Sequence, residues 1–149
     1  MKNICFVCHG NICRSPAAEF ALKKILVDSG KASRAGIWSR AVSREEEGSG
    51  VYPPMARALR ARGIQPDASH RATLFCSDDY RRADAVYAMD RSNLRRLMTL
   101  TSGDPAGKIA LLTEAAGFDG DIDDPWYSGD FDGALDQIIR CCKALAAKM

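Results

Sequence analysis

The feature that most constrains this chain is its opening. Asn3-Ile4-Cys5-Phe6-Val7 is a short apolar run that ends in a glycine-containing loop, a pattern that suits a buried parallel strand better than a helix. Beyond the loop, Ser15 stands where a helix cap belongs and Pro16 where the first helical residue belongs. Ala18, Leu22, Ile25 and Leu26 then recur at helical spacing as far as Gly30. A strand buried on both faces needs neighbouring strands and covering helices, so this one unit already points to a layered strand-and-helix fold.

The alternation continues along the chain. Ile37 to Val42 reads as a strand, Pro54 to Arg62 as a helix stopped by Gly63, and Ala85 to Ala88 as a third strand. Asp90 is placed to cap a helix carrying Leu94, Leu97 and Met98, and Lys108 to Leu112 reads as a fourth strand. Phe131 to Met149 is the last helix, with Phe131, Leu135, Ile138, Ile139, Cys142, Leu145 and Ala146 on one face and Cys141 flanking it. The expected class is α/β, a parallel sheet flanked by helices on both faces. With 149 residues, 46% of them hydrophobic, the chain suffices for one well-filled core, so residues 1–149 are expected to form a single domain.

Charge and cysteine usage narrow the function classes. The 21 basic and 19 acidic residues are dispersed, leaving a net charge of +2 and no basic arm for nucleic acid or an anionic membrane; Glu45-Glu46-Glu47 and Arg81-Arg82 read as solvated charges. No stretch approaches a membrane span, and Met1-Lys2-Asn3 leads into the first strand without a signal pattern, so a cytoplasmic protein is expected. Six cysteines, two of them adjacent, make a poor disulfide framework. Cys5 and Cys8 form a C-x-x-C pair without a second half, as neither Cys141-Cys142 nor His70 supplies paired zinc-ligand spacing, and no metal or other cofactor is expected.

In a parallel sheet the ligand lies beyond the carboxyl ends of the strands. There the loop Cys8-His9-Gly10-Asn11-Ile12-Cys13-Arg14-Ser15 places a thiol, five residues, an arginine and a hydroxyl at a helix start. Gly10 and Asn11 tolerate left-handed backbone, so the loop can curl until its N–H groups and the helix N-terminus converge on an anion, and a phosphate dianion suits such a nest. The same field favours a thiolate on Cys8, which makes it the candidate nucleophile. Arg14 offers a planar fork for two phosphoryl oxygens, and Ser15 can donate to the sulfur when it departs. No P-loop or dinucleotide-binding pattern competes for this turn.

A phenolate such as that of tyrosine leaves with a conjugate-acid pKa of about 10, so its departure calls for a proton donor. Asp121, Asp123 and Asp124 crowd one long loop, and chemistry alone leaves all three open. The adjoining Pro125, Trp126 and Tyr127 favour Asp124, because the proline stiffens the chain and the aromatics can wall a phenyl ring.

The segments V-C-H-G-N-I-C-R-S-P and D-P-W-Y resemble the low-molecular-weight protein tyrosine phosphatases, and Ser39-Arg40-Ala41-Val42-Ser43, Ser69-His70 and Met89-Asp90-Arg91-Ser92-Asn93-Leu94 follow in family order. The resemblance implies a four-stranded parallel sheet, Cys8 as nucleophile, Arg14 as phosphate binder and Asp124 as acid and then base. It also implies a supporting hydrogen-bond network of Asn11, Ser15, Ser43 and His70, a ring pocket formed by Trp126 and Tyr127, and a Cys13 that traps oxidised Cys8 as a disulfide. The implied substrate is a phosphotyrosine-containing protein or a small aryl phosphate. His9, Val42, Ser49-Gly50, Thr73-Leu74 and Trp126 depart from the common family residues, His9 making the loop rim more polar. Two rivals share the fold: a thiol-dependent arsenate reductase, whose relay lacks a partner for Cys76 because Ala83 stands seven residues on, and a phosphoarginine phosphatase, whose relatives carry threonine where this chain has Ile12.

Overall fold

The computed structural model describes residues 1–149. Four strands, β1 (Lys2–Cys8), β2 (Ala35–Ala41), β3 (Ala85–Ala88) and β4 (Ile109–Leu111), form one sheet in the order β2-β1-β3-β4, every pair parallel. The apolar run at the chain start lies between two neighbours, which is why Ile4 to Cys8 are all buried. Side chains of a strand alternate between faces. Ile4, Phe6 and Cys8 therefore join one apolar cluster, and Cys5 and Val7 join another on the opposite side.

The first face is covered by α1 (Arg14–Asp28) and α7 (Phe131–Ala147), which pack against each other, while α2 (Pro53–Ala61) packs on α7. Arg62 at the end of α2 bridges Asp132 and Asp136 of α7 at 2.9 and 2.7 Å. The stripe expected on the last helix is the packed one, and Cys142 donates its thiol to the Ala18 carbonyl at 3.6 Å. Cys141 is buried in the same cluster rather than flanking it. The second face is covered by α3 (Ser77–Arg82) and α4 (Arg91–Leu100), the latter capped by Asp90, whose Oδ1 accepts from Asn93 N at 2.8 Å.

Several boundaries differ from the sequence expectation. Helix α1 begins at Arg14, two residues before Pro16, and Ser15 is not its cap because that hydroxyl is turned back into the loop. Three short helices, α3, α5 (Leu112–Ala115) and α6 (Pro125–Ser128), were not expected. None is long enough to show an apolar period, and the buried residue of α3 is Asp79, which accepts from Cys76 N, Trp38 Nε1 and Arg40 Nε. Arg82 is not merely solvated: its guanidinium stacks 4.6 Å from the Trp38 ring centre.

Because α7 is held mainly by apolar burial, Leu135→Ala should lower unfolding stability by about 3 kcal/mol, and Arg62→Met by less than about 1 kcal/mol. Urea denaturation of the two variants checks this order, which a larger loss at Arg62 would reverse.

Candidate active site

The loop after β1 closes around one residue. Asn11 is fully buried with φ of 58°, the left-handed conformation that an asparagine accepts more readily than most residues. Its side-chain Nδ2 donates to Ser15 Oγ at 2.9 Å and to Ser39 Oγ at 3.0 Å, and its Oδ1 accepts from Thr73 N at 3.0 Å. His70 Nε2 stands 2.8 Å from the Asn11 carbonyl, which can only accept, so the ring proton is on Nε2. Gly10, the other residue suited to left-handed backbone, does not adopt it; its lack of a side chain instead lets Glu46 approach, with Cγ 3.3 Å from where a Cβ would sit.

Cys8 lies at the carboxyl end of β1. Its Sγ accepts from Asn11 N at 3.3 Å and is 3.0 Å from Ser15 Oγ. Ser15 Oγ accepts from Asn11 and has one proton of its own, for which the sulfur at 3.0 Å competes with the Arg40 carbonyl at 3.4 Å; directed at the nearer sulfur, it would serve a thiolate. Cys5, Cys13, Cys141 and Cys142 are held protonated. Burial lifts Cys5 and Cys142 well above the ordinary thiol range and Cys141 to about 11, and burial followed by the nearby Cys8 lifts Cys13. Cys5 and Cys8 lie on opposite faces of the sheet, so this C-x-x-C pair cannot converge on one ion.

Arg14, only 3% exposed, donates from Nη1 to Asp90 Oδ2 and to the Ile122 carbonyl, both at 2.9 Å, and its Nη2 stands 3.5 Å from Asp124 Oδ2. Burial works against its charge, but Cys8, Asp90 and Asp124 together outweigh burial and raise its pKa. Asp124 also caps α6, with Oδ1 accepting from Trp126 N at 3.1 Å. Of the three aspartates left open by the sequence, only Asp124 lines the cleft; Asp121 and Asp123 are exposed outside it. The cleft, of about 450 Å³, has Cys8, Ile12, Cys13 and Arg14 at its base and His9, Glu45, Trp126 and Tyr127 among its walls. Tyr52 props the aromatic wall, its ring 5.2 Å from Trp126 and 5.7 Å from Phe131.

The sequence reading placed Ser43 in the supporting network, and the geometry does not. Ser43 Oγ accepts from Glu45 N at 3.2 Å, whereas Ser39 takes the amide of Asn11 and passes its own proton to Glu19 Oε1 at 2.7 Å. Position along the strand explains the exchange: Ser39 lies within β2 beside the loop, whereas Ser43, of the same parity, lies two residues past the strand end. Glu19, Ser39 and Asp90 were missed as site residues. The signal for Glu19 was a carboxylate four residues after Ser15, masked because Lys23 four residues further on offers it an ordinary helix ion pair at 2.6 Å. The departure at Thr73-Leu74 leaves the network intact because Thr73 contributes only its backbone N–H.

A loop that brings a thiol and a guanidinium into one anion-sized hollow, with a carboxylate against it, is the equipment of a cysteine-dependent phosphomonoesterase. Comparison with known proteins narrows that class. Residues 3–149 match the family described as low molecular weight phosphotyrosine protein phosphatase, and the chain belongs to it. The chain is 34% identical over 155 residues to the pig (Sus scrofa) low molecular weight phosphotyrosine protein phosphatase, spanning 99% of this chain and 96% of that protein. The crystal structure of the low molecular weight protein tyrosine phosphatase from Streptococcus pyogenes superposes with a TM-score of 0.90 at 31% identity, covering 100% of this chain and 93% of that one. An arginine phosphatase from Drosophila superposes with a TM-score of 0.88 at 29% identity, covering 99% and 97% of the two chains.

Ser39→Ala should leave Glu19 and the Asn11 amide each short of a buried partner and cost about 1–3 kcal/mol of stability, while Ser43→Ala should stay within about 0.5 kcal/mol of the parent. Chemical denaturation of the pair measures this directly, and the opposite order would return Ser43 to the network.

Proposed function

We propose that residues 1–149 act as one catalytic domain that hydrolyses tyrosine phosphate through a cysteinyl-phosphate intermediate. The observation that carries this reading is the single cleft holding Cys8 Sγ, the Arg14 guanidinium and the Asp124 carboxyl group. Cys8 attacks phosphorus as the bond to the tyrosyl oxygen breaks, and Arg14 and the loop N–H groups take the charge on the phosphoryl oxygens. Asp124 gives its proton to the departing phenolate. A water then attacks the phosphocysteine, giving a proton to Asp124, and the sulfur leaves as a thiolate accepting from Ser15.

The shape of the cleft favours tyrosine. Cys8 is buried at the base while Trp126 and Tyr127 stand 58% and 87% exposed at the mouth, so a phosphate must reach inward on a long, flat side chain. Ile12 at the base supplies no side-chain hydrogen bond to a guanidino nitrogen, which disfavours phosphoarginine. No helix is long and apolar enough to cross a membrane. Six unpaired cysteines, one of them the nucleophile, suit a reducing compartment, and we place the reaction in the cytoplasm.

Turnover of phosphotyrosyl, phosphoseryl and phosphoarginyl peptides, measured side by side without added metal, should favour the first; preference for phosphoarginine would overturn the assignment. Cys8→Ser should abolish turnover while retaining phosphate-analogue binding. Asp124→Asn should slow phosphotyrosine cleavage by about 10² to 10⁴ and nitrophenyl phosphate by less, because the latter leaving group departs without a proton. Parallel profiles for Asp121→Asn and Asp123→Asn decide the acid: a leaving-group effect confined to either of them would displace Asp124.

A further inference from the structure

Above the phosphate site the two walls of the cleft are chemically unlike. One is aromatic, formed by Trp126 and Tyr127, and the other is charged, formed by His9, Glu45 and Glu46. The remaining acids of the cleft, Asp90 and Asp124, face Arg14 at the base. No lysine lines the cleft, and Arg14 is its one arginine. The solvent-facing part of the cleft is therefore negative, offset at one carboxylate when His9 carries a proton.

The segment that supplies these carboxylates is tied to the phosphate loop. Ser43 N donates to the His9 carbonyl at 3.0 Å, and Glu45 N donates to Ser43 Oγ at 3.2 Å. His9 Nε2 lies 3.1 Å from Glu45 Oε2, the two side chains being 54% and 71% exposed. Glu46 packs over Gly10, and its Oε2 accepts from Ser49 Oγ at 3.4 Å. The adjacent Arg44 and Glu47 face each other at 3.8 Å and do not line the cleft. The backbone that carries Glu45 and Glu46 is thus tied beside any phosphate held by the loop.

We propose that Glu45 and Glu46 are specificity-determining residues that select phosphotyrosines flanked by lysine or arginine. The flanking cation meets the carboxylate wall while the phosphate sits against Arg14, and an acidic flank is repelled. This inference rests on the tyrosine-phosphatase reading and adds the substrate class. Complementary charge at a rim acts through modest increments that salt screens, so the preference for a lysine flank over a glutamate flank should be about tenfold in kcat/KM and should shrink at about 0.5 M salt.

The test uses the full chain and three phosphotyrosyl peptides identical except for Lys, Gln or Glu beside the phosphotyrosine. The parent, Glu45→Gln, Glu46→Gln and the double variant are compared by the ratio of kcat/KM between peptides within each protein, which cancels differences in folded fraction. The expected ratio of Lys to Glu peptide is about ten in the parent, falling to about two or less in the double variant, and Glu45→Lys should favour the acidic peptide. A ratio near one in the parent, or one that survives the double substitution, overturns the proposal. Failure of the underlying reading has a different signature, since none of the three peptides would then be turned over.

Discussion

The side chain of Asn11 is the constraint on which the rest of the site depends. A residue with a Cβ in left-handed backbone costs about 1–2 kcal/mol, less for asparagine, and a buried amide without partners costs about 1–3 kcal/mol more. Both costs are met locally: the three side-chain hydrogen bonds of Asn11 tie the loop to α1 through Ser15, to β2 through Ser39 and to the segment after His70 through Thr73. With the backbone so turned, its N–H points at Cys8 Sγ. The Cys8 sulfur is therefore positioned by an amide three residues away, which is itself held by three separate parts of the chain.

Arg14 poses the opposite problem, a charge in the interior. A buried cation is tolerable only with partners of good geometry, and Asp90 provides one while also capping α4. One carboxylate thus joins the second covering layer to the loop after β1. Asp124 is the looser partner at 3.5 Å, held by the cap it makes on α6 and partly open to the cleft. Asp90 fixes the guanidinium, whereas Asp124 keeps only the longer contact with Arg14 and a face toward the cleft.

Much of this was legible in the sequence because local chemistry and tertiary demand agree. The apolar run at residues 3–7 and the stripe on the last helix report burial that the fold uses, and Gly63 takes the left-handed backbone, φ 73°, that ends α2. The loop was legible through Cys8, Asn11 and Arg14, whose types have few other reasons to stand together beside a helix start. What stayed hidden was long-range. Ser39 and Ser43 look alike in one dimension, and only the register of β2 against β1, with Phe6 opposite Ser39, shows which one reaches the loop. Asp90 could be read as a cap from its position before a helix, but its second oxygen meets Arg14 across 76 residues. The choice among Asp121, Asp123 and Asp124 was likewise undecided by residue chemistry and rested on the family resemblance; of the three, only Asp124 lines the cleft.

Strand parity links the fold to the chemistry. Cys8 shares a face with Ile4 and Phe6, the face that α1 covers, so the sulfur emerges over the N-terminal end of that helix. A slip of one residue in β1 would turn the thiol toward α3 and α4, away from Arg14 and Ser15. Such a slip is strongly opposed, because it would also exchange the residues of the two apolar clusters, placing Phe6 where Cys5 and Val7 pack. The burial of Ile4 and Phe6, neither of which lines the cleft, is thus what aims the Cys8 sulfur, and Asn11 completes the alignment that the core has begun.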